Sequence, residues 1–139
     1  MPKTATIRTL DTYSPDPVAD PTDAILDRKA LDAIREMESP ALPDVLEQIV
    51  DVYLEHALNQ LTTLAAAVET SDIKTQHRIA HNLKSSSANL GAHDLAALCQ
   101  TLETSTRHGP SKHAGELVAE ITGAFAQVRA ALLIELGKA

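Results

Sequence analysis

The stretch His77-Arg78-Ile79-Ala80-His81-Asn82-Leu83-Lys84-Ser85-Ser86-Ser87-Ala88-Asn89-Leu90-Gly91 decides how this chain is read. At about 100° per residue, Ile79, Leu83, Ser86 and Leu90 fall on one side of a helix and His81 on the other. His81 is therefore predicted to face solvent. His77, Lys84, Ser85 and Ala88 lie within about 60° of it, so its stripe holds two imidazoles, one ammonium and small neighbours that leave the ring open to approach. Thr70-Ser71-Asp72 supplies cap residues before this helix, and Gly91 is the glycine that commonly ends one.

Helical spacing continues on both sides. Upstream, Asp27 is the expected N-cap of a short amphipathic helix carrying Leu31, Ile34 and Met37, which Ser39-Pro40 should end. A second helix is expected to start in the Pro40 to Pro43 region, where first-turn amides need no intrahelical partner. It runs through Leu46, Val50, Tyr53, Ala57, Leu61, Leu64 and Val68. Downstream, a fourth helix runs from about His93 through Leu95, Leu98, Cys99 and Leu102 to Arg107, and Gly109-Pro110 forces a turn. The last, opened by Ser111, carries Leu117, Ile121, Ala124, Phe125, Val128 and Leu132, with Gly115 and Gly123 weakening it slightly. Short turns between amphipathic helices imply an all-α fold, an antiparallel up-and-down four-helix bundle with a short additional N-terminal helix.

Composition agrees with that fold. The chain has 139 residues, enough for one hydrophobic core, and its residues are 44% apolar but only 2% aromatic, which suits closely packed helices better than sheets. Residues 1 to 22 carry Pro2, Pro15, Pro17 and Pro21 with little apolar periodicity and read as a flexible tail or linker, leaving residues 23 to 139 as the domain. A formal net charge of -7 disfavours nucleic acid as a partner. The start, Met1-Pro2-Lys3-Thr4, lacks the apolar stretch of a signal peptide, and no uninterrupted apolar run is long enough to insert in a membrane, so the expected location is cytoplasmic. The single cysteine, Cys99, excludes an internal disulfide and is read as core.

The exposed stripe suits a phosphoryl acceptor. An imidazole titrates near pH 6.5, so much of it is a neutral nucleophile at neutral pH without a general base. Phosphoryl transfer asks mainly for positioning and for cations near the equatorial oxygens, and Lys84 stands one turn from His81. Glu103 and Arg107, spaced i,i+4 at the border of the apolar stripe of the fourth helix, are candidates to hydrogen-bond the ring and add positive charge; an ordinary surface ion pair is the competing reading.

These residues resemble the histidine-containing phosphotransfer domains of multistep two-component signalling. The likeness is carried by Ala80-His81-x-Leu83-Lys84-x-Ser86-x-x-x-Leu90-Gly91-Ala92, then Leu98-Cys99 and Leu102-Glu103, and it extends from about Leu26 to Leu136. The resemblance implies that His81 is phosphorylated, that Lys84 lies near the phosphoryl group, and that Glu103 orients the ring, with Arg107 where some members place a basic residue. It implies a bundle without ATP site, cofactor or intrinsic kinase activity. Its partners would be response-regulator receiver domains that bring their own Mg²⁺, and a hybrid sensor histidine kinase where the domain is a module of one. The isolated domain is expected to be a monomer. One departure stands out: the family usually has glycine directly after the lysine, and this chain has Ser85.

Two other functions fit parts of the pattern. His77, Ser85 and Ala88 are read as docking surface, and one alternative is a helical module that docks to a receiver or kinase without carrying phosphate, with His81 merely a contact. The other is a metal-binding bundle using His77 and His81 at i,i+4. For metal the surroundings are poor, because position 78 is Arg where a zinc protease motif places Glu, and Lys84 is a further cation. No metal ligand is therefore expected.

Overall fold

The computed structural model describes residues 25–109 and 112–138. The expectations about the tail at 1 to 22, about Pro110 and about Ser111 as helix opener lie outside the described residues. Among the described residues, five helices follow one another: α1 (Arg28–Arg35), α2 (Val45–Glu69), α3 (Ile73–Asn89), α4 (His93–Thr106) and α5 (Ala114–Glu135). Helix α3 packs against α2 and α4, and α5 closes the bundle by packing against α4 and α2. The all-helical bundle with a short extra helix is thus the architecture read from the apolar spacing.

Each long helix contributes an apolar stripe to one core. Val50, Tyr53 and Leu64 enter from α2, Ile79 and Leu83 from α3, Leu95, Cys99 and Leu102 from α4, and Ile121, Phe125 and Leu132 from α5. Tyr53 and Phe125 meet with ring centroids 6.0 Å apart at 56°, an edge-inclined geometry that aromatic pairs favour. Burial pushes the Tyr53 phenol up to about 12, and its hydroxyl shares a 2.9 Å hydrogen bond with Ser87 Oγ. That contact corrects the helical wheel. Ser87 is the fully buried serine of the run, while Ser86 is only half-buried, because α3 is covered by α2 on one flank and α4 on the other. Helix α5 is long and apolar enough to cross a membrane by length and composition, although Val118, Ile121, Phe125, Val128 and Leu132 line the core.

Helix ends show where local signals decide. Asp72 is the N-cap of α3, its carboxylate accepting from Thr75 N at 3.2 Å and from Thr75 Oγ1 at 2.7 Å. At the other end, Gly91 adopts φ +82°, and Ala92 N–H reaches back to Ser87 C=O at 2.9 Å, satisfying a carbonyl the helix leaves open. A β-carbon on Gly91 would meet Asp27 N and O at 2.8 Å, because the chain entering α1 crosses directly over the turn and Asp27 N–H donates to Gly91 C=O at 2.9 Å. Asp27 also caps α1 by accepting from Lys29 N, and it faces His93 Nε2 at 3.1 Å. Arg28 and Arg35 close on Glu135 at 2.6 and 3.0 Å, so the short helix is tied at both ends.

Two boundaries differ from the sequence reading. Helix α1 stops at Arg35, leaving Met37 exposed rather than on its apolar face. Helix α2 begins at Val45, not between Pro40 and Pro43. Ser39 and Leu42 first close a tight turn with reciprocal backbone bonds of 3.0 and 2.9 Å, and the α2 amide of Leu46 is captured by Glu38 Oε2 at 3.1 Å. The capping group thus lies upstream of the prolines, where no local capping pattern would place it.

Candidate functional site

The exposed edge of the α3–α4 interface gathers the residues singled out from the sequence. Within α3 the backbone places His77, His81 and Lys84 on successive turns, and α4 presents Gln100, Glu103, Thr106 and Arg107 opposite them. Glu103 is the centre. It is only 3% exposed, and it is not a border residue: the close α3–α4 packing covers it. A carboxylate so placed needs partners. His81 Nδ1–H donates to Oε2 at 3.0 Å, and the Lys84 ammonium approaches Oε1 at 2.7 Å. Lys84 also donates to Gln100 Oε1 at 2.9 Å, while Gln100 Nε2–H donates to Thr104 Oγ1 at 2.9 Å. The Lys84 ammonium holds the Glu103 carboxyl below the usual range. Burial works in the other direction, and the His81 N–H adds to the lowering.

An ionised carboxylate only accepts, so the nitrogen facing it must carry the proton. His81 is thereby held with hydrogen on Nδ1 and a lone pair on Nε2. Its side chain is 57% exposed, and among the described residues Nε2 has no partner. The arrangement presents a nitrogen lone pair with a defined tautomer and an open face, next to an anchored cation. Ser85 is exposed and Ala88 half-buried on the same stripe, so neither screens the ring. Arg107 is peripheral, its Nη2 4.0 Å from Glu103 Oε2 and its side chain 61% exposed.

His77 stands differently from its sequence reading. It is half-buried and engaged across the interface: Nδ1 is 2.9 Å from Thr106 Oγ1, and Nε2 is 3.9 Å from Glu103 Oε2. Sequence reasoning missed Thr106 and Gln100. Their only signal is spacing, since Gln100, Glu103, Thr106 and Arg107 recur at three and four on one face of α4. Among the described residues, no group of three or more His, Cys, Asp or Glu side chains is arranged to hold a metal ion.

Residues 48–131 match the Hpt domain family. The chain superposes on the crystal structure of histidine-containing phosphotransfer protein B (HptB) from Pseudomonas aeruginosa PAO1 with a TM-score of 0.75 at 28% identity, over 83% of this chain and 96% of that one. No curated protein matches by sequence. The match covers most of the bundle, including all of α3 and α4, and the chain therefore belongs to the Hpt domain family, with a general role in phosphotransfer relays.

Proposed function

We propose that the chain is a phosphocarrier in which His81 Nε2 accepts a phosphoryl group from the phosphoaspartate of one receiver domain and passes it to the aspartate of another. The observation that carries this reading is the 3.0 Å bond from His81 Nδ1–H to Glu103, which leaves the Nε2 lone pair free on the exposed side. Attack by Nε2 forms the N–P bond as the acyl phosphate P–O bond breaks and the receiver's carboxylate departs. No proton need leave the attacking nitrogen. The ring gains positive charge, which the Glu103 carboxylate stabilises across the 3.0 Å contact. Lys84 offers charge compensation near the transferring group, and Glu103 together with Gln100 keeps its ammonium from wandering.

The divalent cation of such a transfer belongs on the receiver. Here the one buried carboxylate at the site is already engaged by an ammonium and an imidazole N–H, which suits a dication poorly. Receivers would approach over Ser85 and Ala88. An apolar groove of about 460 Å³ between α2 and α3, lined by Ile49, Val52, Ser86 and Asn89 among others, borders that stripe and offers contact area. A carrier serving such receivers works on the cytoplasmic side of the membrane, alone or within a hybrid kinase.

The test is uptake of acid-labile, base-stable phosphate from a phosphorylated receiver. His81→Gln should abolish it while changing stability by no more than about 0.5 kcal/mol, as for an exposed side chain. His77→Gln should still take up phosphate. Wild-type uptake by the His81→Gln chain would refute the assignment, and tight receiver binding without any uptake by the wild type would favour the docking-module reading.

A further inference from the structure

We propose that His77 is a positioning residue for His81: the charge on its imidazole sets how firmly Glu103 Oε2 holds the Nδ1–H of His81. The inference rests on the reading of His81 as the nucleophile and concerns a second ring that the phosphocarrier role does not itself use.

The argument begins with hydrogen-bond directions. Thr106 Oγ1–H donates to the backbone carbonyl of Glu103 at 2.7 Å, which uses its one proton. The 2.9 Å contact between Thr106 Oγ1 and His77 Nδ1 therefore runs the other way, with Nδ1–H donating. That fixes the His77 ring with Nε2 toward the carboxylate, 3.9 Å from Glu103 Oε2. This oxygen is the one that accepts from His81 at 3.0 Å. Two imidazoles thus address one carboxylate oxygen, one through a hydrogen bond and one from just beyond hydrogen-bond reach.

The consequence depends on the state of His77. Neutral, it turns a lone pair toward Oε2, offers no bond and leaves the oxygen to His81. Protonated, it directs an N–H and a positive charge at Oε2, competes for that oxygen and disfavours charge on the His81 ring one turn away. Other charged groups surround His77, Arg78 next to it in sequence among them. Across the interface α4 presents Glu103 and, 4.0 Å beyond its Oε2, Arg107; the carbonyl end of α4 adds partial negative charge. Along α3, Lys74 and His81 lie three and four residues away, and Lys84 reaches in to Glu103. With one carboxylate among several cations, a charge on one imidazole opposes a charge on the other. A proton on His77 then tunes the nucleophile without touching the phosphoryl group.

Imidazole ¹⁵N shifts of the whole chain, followed by NMR between about pH 5 and pH 9, test this without any partner. In His77→Gln the His81 ¹⁵N shifts should depart from those of the wild type as pH falls, because a like charge one turn away has been removed, and should coincide with them at the alkaline end. Thr106→Val, which frees the His77 ring but keeps the side-chain shape, should shift His81 the same way by less. A merely packing role for His77 would move neither curve, so coincident His81 titrations in all three chains would overturn the proposal. Where phosphate uptake is measured, its acid limb should move in His77→Gln, and an unmoved limb would count against the proposal. Failure of the wild type to accept phosphate would refute the phosphocarrier reading alone, since the NMR comparison still decides this one.

Discussion

Glu103 Oε2 lies 3.0 Å from His81 Nδ1, joining residues 22 positions apart on two different helices. One buried carboxylate thereby selects the tautomer of an exposed ring, and the same carboxylate anchors Lys84 through its other oxygen.

Removing that carboxylate should cost rate rather than fold. Glu103→Ala is expected to slow phosphate uptake by about 10- to 100-fold, the range seen when partners that orient a functional imidazole are removed. Glu103→Gln keeps an acceptor for Nδ1–H but loses the charge, so it should fall between. Single-turnover transfer from a phosphorylated receiver measures this, with circular dichroism as the fold check. An alanine variant as fast as the wild type would show that His81 needs no orienting group.

Acid should destabilise the bundle through Glu103 and Glu135. The Lys84 ammonium holds Glu103 below its ordinary value of 4.5. At Glu135 burial pushes the carboxyl up, but Arg28 and Arg35 outweigh it and the net direction is also down. Both groups bind a proton more weakly folded than unfolded. Their contribution is therefore complete above about pH 4.5 and is lost as pH falls through the lower folded values. Urea midpoints at pH 7, 4.5 and 3 should show the loss confined to the acid side, and Lys84→Met should shrink it.

Two turns should respond oppositely to exchange of glycine and a side chain. Gly91→Ala puts a β-carbon 2.8 Å from the Asp27 backbone at φ +82°, and a loss of about 2 to 3 kcal/mol is expected. Ser71 sits at φ +56° at the end of α2, in the position glycine usually takes, so Ser71→Gly should gain up to about 1 kcal/mol. Thermal unfolding distinguishes the two signs. Equal destabilisation by both would mean that the Ser71 side chain contributes more than its strain costs.

Ser85 is exposed on the His81 stripe, where a receiver would approach. Ser85→Gly should keep the fold at a cost of about 1 kcal/mol or less and preserve or speed transfer by removing bulk. Much slower transfer at unchanged stability would assign the hydroxyl a direct part in docking.

The apolar spacing by itself determined the helices, the buried side of α3 and the exposure of His81, because amphipathic periodicity is a property of a single helix and is written in consecutive residues. The local cap chemistry of Asp27 and Asp72 and the glycine after Leu90 were equally legible. What only the tertiary structure decided is every relation between helices. The packing of α3 on α4 turned Glu103 from a border residue into a buried carboxylate, and it bound His77 to Thr106. The crossing of α2 over α3 chose Ser87 over Ser86 as partner of Tyr53. Glu38, eight residues away, became the cap of Leu46. Spacing within a helix fixes direction around one axis, whereas these contacts depend on how two axes are rotated and set against each other. That rotation is settled by the whole core at once, and no single stretch of sequence carries it.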